Sequence, residues 1–124
     1  MPILEPEVDI HSPDKADAEL ILEQGIAARL DVVPDGHQVM LKLSLPTQDG
    51  LYAKLVHHPK VMRVLALSGG YSRREASALL ARNPGVVASF SRALTEGLTA
   101  TQSDEEFDTI LRDAVVEIAA ASSD

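Results

Sequence analysis

Four short apolar runs alternate along the chain with segments of helical spacing, and that alternation limits the folds open to it more than any other feature. The runs are Ile3–Glu7, Val39–Leu45, Val64–Ser68 and Val86–Phe90. Strands separated by helices cannot close tight hairpins; they pair in parallel through right-handed crossovers. The predicted order is therefore βαβαβαβα, an α/β fold with a parallel sheet. The second run is the clearest. Val39, Leu41, Leu43 and Leu45 alternate with Met40, Lys42 and Ser44, the period of two that a strand requires, and Pro46 closes it.

The helical segments carry their own punctuation. Ser12-Pro13 offers an N-cap and a first-turn proline for a helix reaching Leu30, with Ala16, Leu20, Ala27 and Leu30 as its apolar positions. Pro34-Asp35-Gly36 then turns the chain. A short helix from about Gly50 to His57 stops at Pro59. Ser72 and Glu75 have capping-box spacing for a helix to about Arg82, stopped by Asn83-Pro84-Gly85. Ser91-Arg92 and the residues through Gly97 read as a loop. Ser103 and Glu106 repeat the capping-box spacing, and Phe107, Ile110, Leu111, Ala114, Val115 and Ile118 form an apolar stripe on the last helix.

Composition removes whole classes of function. A length of 124 residues suits one domain spanning residues 1–124. The chain has no cysteine, which excludes disulfides, thiolate-bound metal and thiol catalysis. A net charge of −8 is the wrong sign for a surface that neutralises phosphate backbones, and two Tyr, two Phe and no Trp supply few rings for stacking on bases. Nucleic acid is not an expected partner. No apolar run approaches the ~20 residues of a membrane span, and no leader pattern follows Met1, so neither a membrane nor export is expected.

Lys42 is the most informative single residue. An ammonium in the middle of a sheet covered on both faces is costly to desolvate. One account makes it a Schiff-base nucleophile, whose amine burial would help to free for attack on a carbonyl. The plainer account is a lysine near the strand end that snorkels or pairs with an acid. Glu5-Pro6-Glu7 falls at the carboxyl end of the first strand, where α/β folds gather their sites, so one glutamate there can serve as general acid and base; both can equally be solvated loop acids. Ser68-Gly69-Gly70 ends a strand before a capped helix, a place where backbone N–H groups and the helix N-terminus can hold an anion. Arg92, after the neighbouring strand, then lies beside that loop as a phosphate clamp. Otherwise the glycines mark a turn and Arg92 a surface ion pair. His57-His58 lacks a third ligand at metal-site spacing.

Together these segments resemble a known family. EPEVDIHSPDK (Glu5 to Lys15), VMLKLSLPT (Val39 to Thr47), VLALSGGYSRREAS (Val64 to Ser77) and ASFSRAL (Ala88 to Leu94) look like the last half of a class I fructose-bisphosphate aldolase of the bacterial branch. The resemblance covers essentially the whole chain. It implies the C-terminal half of a (β/α)8 TIM barrel, with the four runs as strands five to eight.

By the same resemblance Lys42 is the Schiff-base lysine that captures the ketone of dihydroxyacetone phosphate, and Glu5 is the acid/base of the carbinolamine steps. Ser68, Gly69, Ser91 and Arg92 form the phosphate site. The implied activity is cleavage of fructose 1,6-bisphosphate to two triose phosphates in glycolysis, in the cytoplasm, through a covalent imine and without a metal or other cofactor. Vertebrate-type members carry glycine where Ser91 stands. The acidic residue of the first strand and the lysines of the third and fourth have no counterpart here, so the implied partner is a missing N-terminal half or, failing that, a second copy in a homo-oligomer. A non-catalytic half-barrel that binds phosphorylated sugars, or acts only in assembly, is the rival reading.

Overall fold

The computed structural model describes residues 1–122. Its elements are β1 (Ile3–Leu4), α1 (Lys15–Leu30), β2 (Val39–Ser44), α2 (Ala53–Val56), β3 (Val61–Leu67), α3 (Arg73–Ala81), β4 (Val86–Ala88), α4 (Arg92–Thr95) and α5 (Asp104–Ala121). The four strands form one sheet in the order β1-β2-β3-β4, every pair parallel. This is the expected α/β architecture, and it aligns all four strand ends on one edge of the sheet. Among the described residues no helix is long and apolar enough to cross a membrane.

The alternation in β2 sorts its two faces. Leu41, Leu43 and Leu45 are essentially inaccessible and pack with Tyr52, Leu55, Val64, Ala76 and Leu80 in the core. Burying each such side chain contributes about 1.5–3 kcal/mol. On the opposite face the register aligns Lys42 with Leu65 and Leu65 with Val87. All three are only partly buried. The covering of both faces expected for a parallel sheet is thus absent over Lys42: the described helices bury one face, and the row through Lys42 remains accessible.

Both capping boxes form as their spacing predicts. Ser72 and Glu75 bond reciprocally at the start of α3, and Ser103 and Glu106 do so at the start of α5. Four expectations shift. α1 starts at Lys15 with Asp14 rather than Ser12 at its N-cap, and it buries Lys15, Glu19 and Leu30 while Ala16 and Leu20 face outward. β1 pairs over only two residues, so Glu5 and Glu7 lie beyond it. The loop after β4 contains one helical turn, α4, with Arg92 as its first residue. On α5 the buried stripe narrows to Ala114 and Ile118, with Ile110 and Leu111 partly covered and Phe107 and Val115 exposed.

Candidate functional site

The carboxyl ends of β1 and β2 bring two of the expected residues into contact. Lys42 Nζ donates to Glu5 Oε2 at 3.1 Å, across 37 residues of sequence. The Lys42 side chain is 27% exposed and that of Glu5 47%. The ammonium is therefore paired yet reachable from the open face of the sheet. A carboxylate at this distance can take a proton from the amine or return one to an oxygen leaving a carbon bound to it.

The contact does not follow from strand pairing alone. The β1–β2 ladder joins Ile3 to Met40 and Leu4 to Leu41 and then stops. Beyond it the Ser44 hydroxyl accepts from the Val8 N–H and donates to the Val8 carbonyl, both at 2.9 Å. Ser44 is buried. Neighbouring loop residues are fixed in turn by a buried ion pair: Lys15 Nζ bonds Glu19 Oε1, the Leu45 carbonyl at 2.8 Å and Thr47 Oγ1 at 3.1 Å, while Glu19 Oε2 accepts from the Thr47 N–H at 2.8 Å. Sequence reasoning did not single out Ser44, Lys15 or Glu19. The i, i+4 spacing of Lys15 and Glu19 was a visible signal for the pair; nothing local marks Ser44 beyond its lying two residues after Lys42.

The structure brings some of the residues of the anion-binding expectation together. Ser68 is buried directly after β3, and Gly69 and Gly70 both have positive φ, +63° and +107°. A Cβ at Gly70 would lie 3.9 Å from Arg92 Nη1, so the guanidinium does stand beside the glycine loop. A Cβ at Gly69 would meet Ile10 Cγ2 at 3.0 Å. The N-terminus of α3, by contrast, is already occupied. Ser72 N–H donates to Glu75 Oε2, Glu75 N–H to Ser72 Oγ and Arg73 N–H to Glu96 Oε2. The Ser72 N–H and the Ser72 hydroxyl, both donating to Glu75 Oε2, hold the Glu75 carboxyl below its ordinary range. An anion would thus meet the glycine turn and Arg92 rather than the helix end. Ser91 is exposed at the N-cap of α4, and its side chain makes no capping bond.

No protein-family model matches the chain. Among curated proteins it is similar to the fructose-bisphosphate aldolases class 1 of Synechocystis sp., at 57% identity, of Porphyromonas gingivalis, at 52%, and of Clostridium acetobutylicum, at 50%. Each match runs over 122 residues, 98% of this chain and 41% of the relative. The chain therefore spans about two fifths of the length of the curated relatives it matches.

Proposed function

We propose, from the premise that this chain shares its descent with the class 1 fructose-bisphosphate aldolases along nearly all its length, that it supplies the Schiff-base part of an aldolase site. The observation that carries this reading is the contact of Lys42 with Glu5 at the carboxyl edge of a parallel sheet. In the proposed reaction Glu5 takes a proton from the Lys42 ammonium, the freed amine attacks the ketone carbon of a phosphorylated sugar, and the proton the nitrogen then sheds passes to the carbonyl oxygen. Glu5 protonates that hydroxyl as water leaves, and the nitrogen lone pair completes the iminium. The iminium then accepts the electron pair released when the bond between its neighbouring carbon and the next carbon of fructose 1,6-bisphosphate breaks, giving an enamine, while the hydroxyl on the departing carbon loses its proton to a base and becomes an aldehyde, a task that calls for no metal. Arg92, the Gly69 and Gly70 backbone, Ser68 and Ser91 receive one phosphate.

On this reading the four strands are strands five to eight of a (β/α)8 barrel. A whole barrel of that kind takes about 250 residues. β1 and β4 are the edges of the described sheet, so the chain pairs with a polypeptide carrying the other strands, or with a second copy of itself. Cleavage by the 124-residue chain alone is then very low and rises when that polypeptide is co-expressed. The accessible face over Lys42 favours a second reading, in which the chain binds phosphorylated sugars without turning them over.

Borohydride trapping separates the readings. Dihydroxyacetone phosphate with borohydride should leave its adduct on Lys42, read by mass spectrometry, and Lys42→Met should abolish it. Equal labelling of Lys42, Lys54 and Lys60 would show ordinary amine reactivity and overturn the catalytic assignment.

A further inference from the structure

The position of Glu5 raises a problem that backbone pairing does not solve. Leu4 pairs with Leu41, an offset of 37 residues, whereas Val8 is joined to Ser44, an offset of 36. Between these two anchors the β1 side therefore carries one residue more than β2. The extra residue falls in Glu5-Pro6-Glu7, where Pro6 has no N–H to continue a ladder. An added residue of this kind bends a strand and re-aims the side chains around it. Here it accompanies a Glu5 carboxylate that meets Lys42. The bent segment is held at its start by a two-residue ladder and at its end by Ser44 alone among the described side chains, through the two hydrogen bonds to Val8.

We propose that Ser44 is a positioning residue that sets Glu5 against Lys42, its hydroxyl bridging to both polar groups of the Val8 backbone beyond the point where the ladder ends. The inference rests on the reading of Lys42 and Glu5 as the reacting pair for its catalytic meaning, but its geometric content is independent of that reading. Ser44 touches neither Glu5 nor Lys42 through these bonds. It acts by fixing the exit of the bend, so that the slack of one residue is absorbed at Glu5-Pro6-Glu7 instead of travelling onward to Val8. With the hydroxyl gone, the Val8 N–H and carbonyl lose their only partner on β2, and the bend is held at one end.

A zero-length cross-link reads this geometry without any catalysis. Carbodiimide activates the Glu5 carboxyl, and the Lys42 amine displaces the urea to form an amide; the linked peptides are counted by mass spectrometry. Lys60 and Asp35, 2.6 Å apart and on other elements, provide an internal reference in the same molecule. In Ser44→Ala the Glu5–Lys42 yield, taken relative to the Asp35–Lys60 yield, should fall at least fivefold. Ser44→Cys keeps the shape with a slightly larger atom and weakens both hydrogen bonds, so it should lower the same ratio and decides the matter if Ser44→Ala does not fold. An unchanged ratio in a folded variant overturns the proposal. Imine trapping provides the second readout: Ser44→Ala and Glu5→Gln should each slow labelling of Lys42, and the double variant should be no slower than the worse single one. Slowing that multiplies would show that Ser44 acts by another route and would also overturn it. Wild-type protein that cross-links as described but forms no imine on Lys42 refutes the catalytic reading while leaving the positioning role of Ser44 standing.

Discussion

Lys15→Met removes an ammonium while keeping a stem of similar length in a site where Lys15 is nearly and Glu19 fully buried. Three acceptors lose their donor at once: Glu19 Oε1, the Leu45 carbonyl and Thr47 Oγ1. The Glu19 carboxylate is then left inside the protein with the Thr47 N–H as its remaining hydrogen bond. Breaking one side of such a pair costs about 3–5 kcal/mol, because the surviving charge stays desolvated without its counter-charge. That is a large share of the ~5–15 kcal/mol that separates a folded domain from its unfolded chain, and it corresponds to a fall of about 10–20 °C in Tm. Removing both charges is the control. Lys15→Met/Glu19→Leu leaves no buried ion, only the Thr47 N–H, the Thr47 hydroxyl and the Leu45 carbonyl short of the partners they had, so it should be more stable than the single variant by about 2 kcal/mol. Urea unfolding followed by far-ultraviolet circular dichroism, at one fixed protein concentration, gives the three midpoints. A single variant within about 1 kcal/mol of wild type, or a double variant as unstable as the single one, would refute the argument that an uncompensated buried charge dominates.

Arg92→Ala should weaken binding of dihydroxyacetone phosphate by about 1.5–3 kcal/mol in titration calorimetry, the range of a charge-assisted hydrogen bond; unchanged affinity would return Arg92 to the protein surface. Gly36→Ala and Gly85→Ala both force a side chain to positive φ, but only at Gly85 does the new Cβ strike another side chain, Val56 Cγ1 at 2.5 Å, whereas Gly36 has nothing within 4 Å. Thermal melts should therefore show about 1–2 kcal/mol lost at Gly36 and a further ~1–3 kcal/mol at Gly85. Glu75, whose folded carboxyl titrates below its ordinary value because Ser72 bonds its charged form, stabilises α3 fully above the unfolded carboxylate range and loses that contribution as pH falls through the folded value. The gap in Tm between wild type and Glu75→Ala should accordingly be widest near neutral pH and narrow on acidification.

What could be read from the sequence was what depends on near neighbours or on a broken pattern. The two capping boxes are i, i+3 relations, so Ser72–Glu75 and Ser103–Glu106 were visible without any tertiary structure. Lys42 stood out because a charge interrupts an alternating apolar run. The orientation of α1 was hidden for the complementary reason. Its buried face begins with Lys15 and Glu19, and a hydropathy pattern assigns two charged residues to solvent unless their pairing is known. β1 was overestimated because Glu5-Pro6-Glu7 looks like the end of a strand, whereas the proline and the offset to Val8 end the ladder at Leu4. The Ser44–Val8 bridge spans 36 residues and leaves no mark in either segment alone.

The anion site shows how the same limit applies to function. A glycine turn running into a capped helix offers an anion both the N–H groups of the turn and the helix end, and the Glu75 and Glu96 side chains already occupy N–H groups at the helix end. Glu96, 23 residues downstream of Arg73, occupies the Arg73 N–H, and Glu75 occupies that of Ser72. In a chain of net charge −8 these carboxylates compete with any incoming anion. The same competition separates Arg92 from Arg73. Arg73 is engaged by Glu117 and the Glu96 carbonyl. Arg92 stands beside Gly70, and no carboxylate among the described residues forms an ion pair with it. On the proposed reading an anionic sugar phosphate meets Arg92 and the glycine turn without first displacing an internal carboxylate, whereas at the first turn of α3 it competes with Glu75 and Glu96 for the N–H groups.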